Sequence, residues 1–244
     1  MFIDNLIPSF FGALSSPFCF VDRLRHPELI SFGLYANLKK MHQKQIIEGI
    51  DSIWDVGANR GQFAFMAHKV WPELPIFSFE PDPVSYESLK ETFSRFSIEG
   101  KTYHLALSDN SSPKELLRYA DAVNNSLLKR HTEDPTSESV EVSCSKLDEI
   151  ADINKFNAAF LKLDVQGYEA SVLKGSEFFL SKCRYVQIEV AFSPAYSGAA
   201  DIGEMLTLMK SYGFECIQIL DLLRDKSKQN QILEMDLLFS RIGN

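Results

Sequence analysis

Four carboxylates stand where short apolar runs end: Asp55 in Ile53-Trp54-Asp55-Val56, Glu80 after Ile76-Phe77-Ser78-Phe79, Asp164 after Ala159-Phe160-Leu161-Lys162-Leu163, and Glu189 in Val186-Gln187-Ile188-Glu189-Val190. In an open α/β sheet, acids so placed face the crevice at the carboxyl ends of the strands, where ligands bind. Beyond Asp55, Gly57-Ala58-Asn59-Arg60-Gly61 reads as a strand-to-helix turn whose backbone N–H groups are expected to meet a carboxylate or phosphate. The spacing is D-x-G-x-x-x-G. Asn59 therefore stands where the dinucleotide fingerprint has the glycine that admits a pyrophosphate.

An acid ahead of the first glycine suits an ammonium group, and the turn suits a carboxylate. Together they suit the amino-acid end of S-adenosylmethionine. Glu80 then offers two acceptor oxygens to the hydroxyls of an unphosphorylated ribose. On this reading Asp55, Gly57, Asn59, Gly61, Glu80 and the adjoining Pro81 hold a methyl donor. A nicotinamide-dependent oxidoreductase is the competing enzyme reading, and a non-catalytic binding module of the same fold is the reading outside enzymology. A plainer alternative has Asp55 capping the turn, the glycines only turning the chain, and Glu80 solvated.

Asp164 opens "LDVQGYEASVLKG" and has three candidate roles: a base for an acceptor hydroxyl, an anchor for the donor's amine, or a ligand for a metal that holds the substrate. Capping the following helix is its structural alternative. Glu189 is a second catalytic candidate, with a salt-bridged strand end as its alternative. Asn125 and Ser126, in Asn124-Asn125-Ser126, and Gln166 are candidates for contact with the substrate, although a simple turn explains the first two equally well. His104 reads as a half-buried histidine inside a strand. His26, His42, His68 and His131 have no metal-ligand spacing, so a metal is neither indicated nor excluded. Asp148 in "SKLDEI" reads as the start of a short helix.

These groups need a scaffold. Apolar runs at 53–56, 76–80, 103–107, 159–164 and 186–190 alternate with helical patterns at 62–70, 83–96, 169–180 and 203–212. That alternation predicts a mostly parallel sheet with helices on both faces. The runs 215–220 and 235–239, separated by the polar "RDKSKQNQ", predict an antiparallel hairpin at the sheet edge. Residues 108–146, rich in turn formers, read as an insertion in which "EDPTSES" is a loop tip. The expected organisation is an N-terminal extension over 1–45, packed on a single domain over 46–244.

With 244 residues and 45% hydrophobic content, the chain suffices for one substantial core. A formal net charge of −8 without a basic run argues against a nucleic-acid partner. Cys19, Cys144, Cys183 and Cys216 form neither a metal motif nor a disulfide framework, which fits free thiols in a reducing compartment. The apolar N-terminus carries Asp4 and is broken by Pro8 and Pro17. It lacks the features of a signal peptide or membrane span, and a cytoplasmic protein is expected.

Taken in order, "DVGANRGQFA", "FSFEPDPVSYESLKETF", "AVNNSLL", "SKLDEI", "LKLDVQGYEASVLKG" and "EMDLLF" resemble the FkbM family of class I methyltransferases across residues 50 to 240. The resemblance implies a Rossmann-like three-layer α/β sandwich with a mostly parallel seven-stranded sheet. It also implies O-methylation, in relatives, of sugars, glycans or polyketide-type natural products, hence a saccharide or small-molecule acceptor. It places cofactor binding on Asp55, Gly57, Asn59, Gly61 and Glu80, active-site duty on Asp164, and adenine contacts near Ser108 and Asp109. The family's asparagine-serine motif often holds a glycine that Asn124-Asn125-Ser126 lacks.

Overall fold

The computed structural model describes residues 28–131, 138–192, 194–225, 227 and 230–243. Cys19, His26, the first 27 residues and most of the "EDPTSES" segment lie outside the described residues. Among the described residues no helix is long and apolar enough to cross a membrane.

A seven-stranded sheet organises the chain in the order β10-β11-β9-β8-β1-β2-β3. Its strands are β1 (Ser52–Val56), β2 (Ile76–Phe79), β3 (Gly100–Tyr103), β8 (Ala159–Leu163), β9 (Cys183–Ala191), β10 (Phe214–Asp225) and β11 (Gln231–Arg241). All neighbours are parallel except the pairs β9/β11 and β10/β11. Every residue of β1, β2 and β8 is buried. Cover on both faces explains why these strands read as unbroken apolar runs. The chain winds from β1 through β2 to β3 and then returns to place β8 on the other side of β1. This reversal opens a crevice above the carboxyl ends of β1 and β8.

Each face carries its own apolar layer. On one, Trp54 stacks on Phe77 at 4.4 Å and meets Phe179 at 4.7 Å, below α4 (Glu169–Lys174), α5 (Glu177–Leu180) and α6 (Ile202–Ser211). On the other, Ile53 and Phe160 pack against Phe63 and Phe65 of α2 (Gln62–Val70) and against Leu38 and Met41 of α1 (Phe32–Gln43). The 28–45 segment thus packs on the core. Its helix was not anticipated, although Ser31 caps it and Leu34, Leu38 and Met41 mark an apolar stripe. The helix α3 (Pro83–Phe96) begins as expected, with Pro83 in its first turn and the Asp82 carboxylate accepting the Val84 and Ser85 N–H groups.

Four expectations require correction. The strand expected over 103–107 is divided: β3 ends at Tyr103, whose ring stacks on Phe79 at 4.5 Å, and β4 (Ala106–Leu107) pairs instead with β7 (Cys144–Ser145) in a separate sheet. His104, between them, is exposed and stacks on Tyr86 at 4.6 Å, so it is not a half-buried strand histidine. The helix expected over 169–180 breaks at Gly175, where a Cβ would lie 2.0 Å from the Ser108 carbonyl oxygen. That approach of two backbones admits only glycine. Asp148 lies in the first turn of a short helix (Leu147–Glu149), as expected, and its carboxylate also accepts the Phe178 and Phe179 N–H groups and caps α5. The C-terminal hairpin is longer than expected, and only β10 lies at the edge. Within the insertion, β5 (Lys114–Arg118) and β6 (Glu138–Val142) form an antiparallel pair.

Candidate active site

The turn after β1 is held by close backbone contact. Gly57 has φ 76°, and a Cβ there would fall 1.8 Å from the Asp164 carbonyl oxygen, so any other residue would push β1 and β8 apart. Asn59 also takes a left-handed conformation, at φ 48°, and Gly61, at φ 89°, leads into α2. The Gly57 and Ala58 N–H groups donate to the Phe79 carbonyl, Gly61 N–H to the Ala58 carbonyl, and Asn59 N–H to Glu80 Oε2 at 2.7 Å. The expectation that these amides wait for a carboxylate is therefore corrected: the turn uses them to fix its own shape and to position Glu80. The other Glu80 oxygen accepts Asp82 N–H at 2.8 Å. Burial pushes the Glu80 carboxyl up to about 7 despite both donors. Each of its oxygens keeps acceptor capacity toward the cleft.

Above the strand ends lies a cleft of about 710 Å³, with Gly57, Asn59, Glu80 and Pro81 in its wall. Asp55 and Gly61 do not line it. Asp55, expected to receive a donor's ammonium, is 0% exposed and faces an ammonium of its own chain, Lys162 Nζ, at 3.1 Å. Lys162 also donates to the Gly57 carbonyl at 3.0 Å, lies 3.5 Å from Asp164 Oδ2 and sits over the Phe63 ring at 5.6 Å. Burial pushes the Asp55 carboxyl up and Lys162 pulls it down, with burial the larger effect. The same burial works against the Lys162 ammonium, but Asp55 and Asp164 more than offset it and hold the proton on. The first glycine turn, its acid and the end of β8 are thus joined through one buried lysine.

Asp164 and Glu189 converge through Gln166. The two Nε2 protons of Gln166 go to Asp164 Oδ1 at 3.1 Å and Glu189 Oε2 at 2.9 Å. Its Oε1 lies 3.2 Å from the Tyr196 hydroxyl, which is 2.9 Å from the Asn124 carbonyl. Gln166 holds φ 53°, an uncommon conformation for a side-chain-bearing residue. Buried Glu169 stabilises it from below by accepting the Val165 and Gly167 N–H groups at 2.9 and 3.2 Å. Burial lifts the Glu169 carboxyl to about 7, and raises Glu189 through desolvation and the neighbouring Asp164, Glu234 and Asp236. Asp164 does not cap the following helix: α4 starts at Glu169 and has no side-chain cap.

Asn125 and Ser126 line the cleft, but their side chains hold the backbone. Asn125 Oδ1 accepts Tyr119 N–H at 3.0 Å, and Ser126 Oγ donates to the Gln166 carbonyl at 2.8 Å. Ser108 and Asp109, expected near the adenine, do not line the cleft. Ser108 is 0% exposed and bonds Asp109 Oδ1, leaving Leu105, Ala106 and Leu107 to form that wall. Residues that sequence reasoning did not single out include Lys162, Tyr196, Arg130, Gln187, Asp236, and Asn37 of α1, which donates to the Leu220 carbonyl at 3.0 Å. Among the described residues no group of three or more His, Cys, Asp or Glu side chains is placed to hold a metal ion.

Comparison with known proteins agrees with this arrangement. The chain is 27% identical over 195 residues to the 31-O-demethyl-FK506 methyltransferase FkbM of Streptomyces tacrolimicus, covering 68% of this chain and 74% of that one. It is 29% identical over 141 residues to the hexuronic acid methyltransferase AglP of Haloferax volcanii, covering 57% of this chain but only 56% of the relative. A solved structure from Listeria monocytogenes serotype 4b shares the fold with a TM-score of 0.50 at 8% identity, covering 88% of this chain and 69% of that one. Residues 55–216 match the Methyltransferase FkbM domain, which displaces the nicotinamide oxidoreductase reading. The span runs from the Asp55 turn through Asp164 and Glu189 into the final hairpin, and the chain belongs to the FkbM methyltransferase family.

Proposed function

We propose that the chain is an S-adenosylmethionine-dependent O-methyltransferase acting on a hydroxyl of a saccharide or natural-product small molecule. The observation that carries this reading is one continuous cleft with Glu80 at one end and the Asp164–Gln166–Glu189 set at the other. The donor's chemistry fits the first end. The two Glu80 oxygens suit a ribose diol, whereas a 2′-phosphate would meet a carboxylate. Gly57, Asn59, Glu80 and Pro81 would hold the donor, with Leu105 and Leu107 as the apolar wall for its base. When bound, it supplies a methyl group on a positively charged sulfur.

The chain's residues do the rest. Asp164 would accept a hydrogen bond from the acceptor hydroxyl and take its proton as that oxygen gains the methyl group; the donor's C–S bond would break with its electron pair left on sulfur, giving a neutral thioether. Gln166 fixes the carboxylate's rotamer, and Lys162 holds its second oxygen against the β1 turn. Alignment of oxygen, methyl and sulfur is the main demand of such a displacement, and this bracing serves it. The sugar and natural-product acceptors named for the relatives support the acceptor class proposed here. A cytoplasmic location belongs to the same proposal, supported by the free thiols Cys144, Cys183 and Cys216.

Calorimetric titration with S-adenosylhomocysteine tests the donor end, and methyl transfer from labelled donor by wild type and Asp164→Asn tests the other. Binding with transfer that Asp164→Asn abolishes is the expected result. Folded protein that does not bind the product analogue refutes the proposal. Binding without transfer to any hydroxylated acceptor returns the chain to the class of non-catalytic modules.

A further inference from the structure

The half of the cleft away from Glu80 carries an unusual charge. Sheet order β11-β9-β8-β1-β2 sets the two halves apart: Glu80 follows β2, whereas Asp164, Glu189, Glu234 and Asp236 come from β8, β9 and β11. At about 4.8 Å per strand, β2 and β11 are roughly 19 Å apart, so one small donor molecule does not span both sets of acids. Asp236 is the direct cross-strand partner of Glu189, and Glu234 pairs with Ala191 at the next position along that face. Asp221 lines the same region. Against these five carboxylates the wall presents two cations. Lys162 is committed to Asp55 and the Gly57 carbonyl, and Arg130 is stacked near the rings of Tyr119 and Tyr196, at 5.5 and 5.8 Å.

A second, independent feature points the same way. Gln187 is 4% exposed and lines this half, and its Oε1 is buried without a hydrogen-bond partner. Its Nε2 faces Asp236 Oδ1 at 3.4 Å, which fixes the amide orientation and leaves the carbonyl needing a donor. An unpaired buried acceptor among carboxylates is costly unless something bearing several N–H or O–H donors arrives. The carboxylates register the same strain. Burial and Asp164 push Asp236 up to about 6 and raise Glu234, the direction that a bound cation would reverse. Among the described residues no three of these acids converge as a metal-ligand group, whereas an ammonium needs only separate hydrogen-bond acceptors.

We infer that the acceptor half of the cleft is a subsite for a protonated amine, and that the acceptor is an amino sugar or comparable amino-polyol whose ammonium is held by Glu189, Glu234, Asp236 and the Gln187 carbonyl. This rests on the reading of the cleft as a methyl-transfer site. The ammonium's three donors match that set of acceptors, and a neighbouring hydroxyl is thereby presented to Asp164. An anionic saccharide is repelled by the same wall.

The test uses the full chain saturated with S-adenosylhomocysteine and three matched oligosaccharide series: glucosamine, N-acetylglucosamine and galacturonic acid oligomers, titrated calorimetrically. The glucosamine series is expected to bind at least about tenfold more tightly than the N-acetylated one, the effect of one charged hydrogen bond, with no detectable binding of the uronate series. In Glu234→Gln/Asp236→Asn, nearly isosteric changes, that preference disappears while affinity for S-adenosylhomocysteine is unchanged. Equal or better binding of the neutral or anionic series, or binding of none while S-adenosylhomocysteine binds, overturns the inference. So does a parallel loss of S-adenosylhomocysteine affinity in the double variant, because the acids would then be serving the donor's own ammonium. If wild type binds no S-adenosylhomocysteine, the methyl-transfer reading has failed, and this inference falls with it.

Discussion

Replacing Lys162 by Met removes the ammonium that faces Asp55 and keeps most of the side-chain volume. Asp55 is 0% exposed, so its carboxylate must then stay charged without a partner or take up a proton. Protonation sets the upper limit. At pH 7 the solution lies about 3.2 pH units above the ordinary carboxyl value of 3.8, which corresponds to ~4.4 kcal/mol. That agrees with the ~3–5 kcal/mol typical of breaking a buried ion pair from one side. The lost bond to the Gly57 carbonyl adds ~1 kcal/mol that does not vary with pH. For a chain of this size the melting temperature should fall by roughly 10–20 °C at pH 7. In the variant the folded-state pKa of Asp55 is raised further above its unfolded value. The native state then binds the extra proton, and stability is lost as pH rises. At pH 5 the Asp55 component therefore shrinks to ~1.6 kcal/mol. Urea titrations followed through the buried Trp54 at pH 5 and 7 measure both values, and Asp55→Asn/Lys162→Met should recover most of the loss at pH 7. A cost below ~1 kcal/mol at pH 7, or one that does not fall at pH 5, would refute the buried ion pair as described.

The wild-type protein without ligand carries the same sign. Glu80 and Glu169 both rise from 4.5 to about 7, so their contribution is full below pH 4.5 and is lost as pH climbs through 7. The unfolding free energy from urea titrations should accordingly be higher at pH 5.5 than at 7.5, by an amount on the order of a few kcal/mol, and a flat profile would contradict both burial effects. Glu80→Gln removes one charged acceptor for a ribose hydroxyl, and calorimetry should show S-adenosylhomocysteine bound about tenfold or more weakly. Gly57→Ala drives a Cβ against the Asp164 carbonyl, and its melting temperature should drop more than that of any conservative change lining the cleft. Glu169→Ala frees the Val165 and Gly167 amides that hold Gln166. Transfer should slow by about tenfold while S-adenosylhomocysteine affinity is retained, a kcat effect separate from binding.

The parts of the fold legible in the sequence are those whose local pattern and buried environment agree. The strands β1, β2, β8 and β9 are covered on both faces and announce themselves as apolar runs, and α3 carries its start signal in Asp82-Pro83. Tyr103-His104-Leu105-Ala106-Leu107 looks equally like a strand, yet Leu107 pairs with Ser145 in another sheet. Nothing within five residues encodes a choice of partner made by residues about forty positions away. The break at Gly175 is similar: the glycine was visible, but its reason is the Ser108 carbonyl.

The site divides along the same line. The alternation of strands and turns placed Asp55, Glu80, Asp164 and Glu189 at one edge, because a strand end is a local property. Which acid faces the cleft and which faces its own chain depends on the neighbouring strand's register, which is not local. Asp55 lies opposite Lys162 across the β1/β8 pair, and that single register decides that its carboxylate braces the site from beneath. A signal for it did exist. In "AFLKLD" the lysine sits inside a run too apolar to be an exposed strand, and a buried lysine requires a carboxylate partner. On the neighbouring strand that carboxylate is Asp55. A charged residue out of keeping with an otherwise buried strand is therefore better treated as half of a pair than as a solvated exception, and its missing half as a residue already engaged before any ligand arrives.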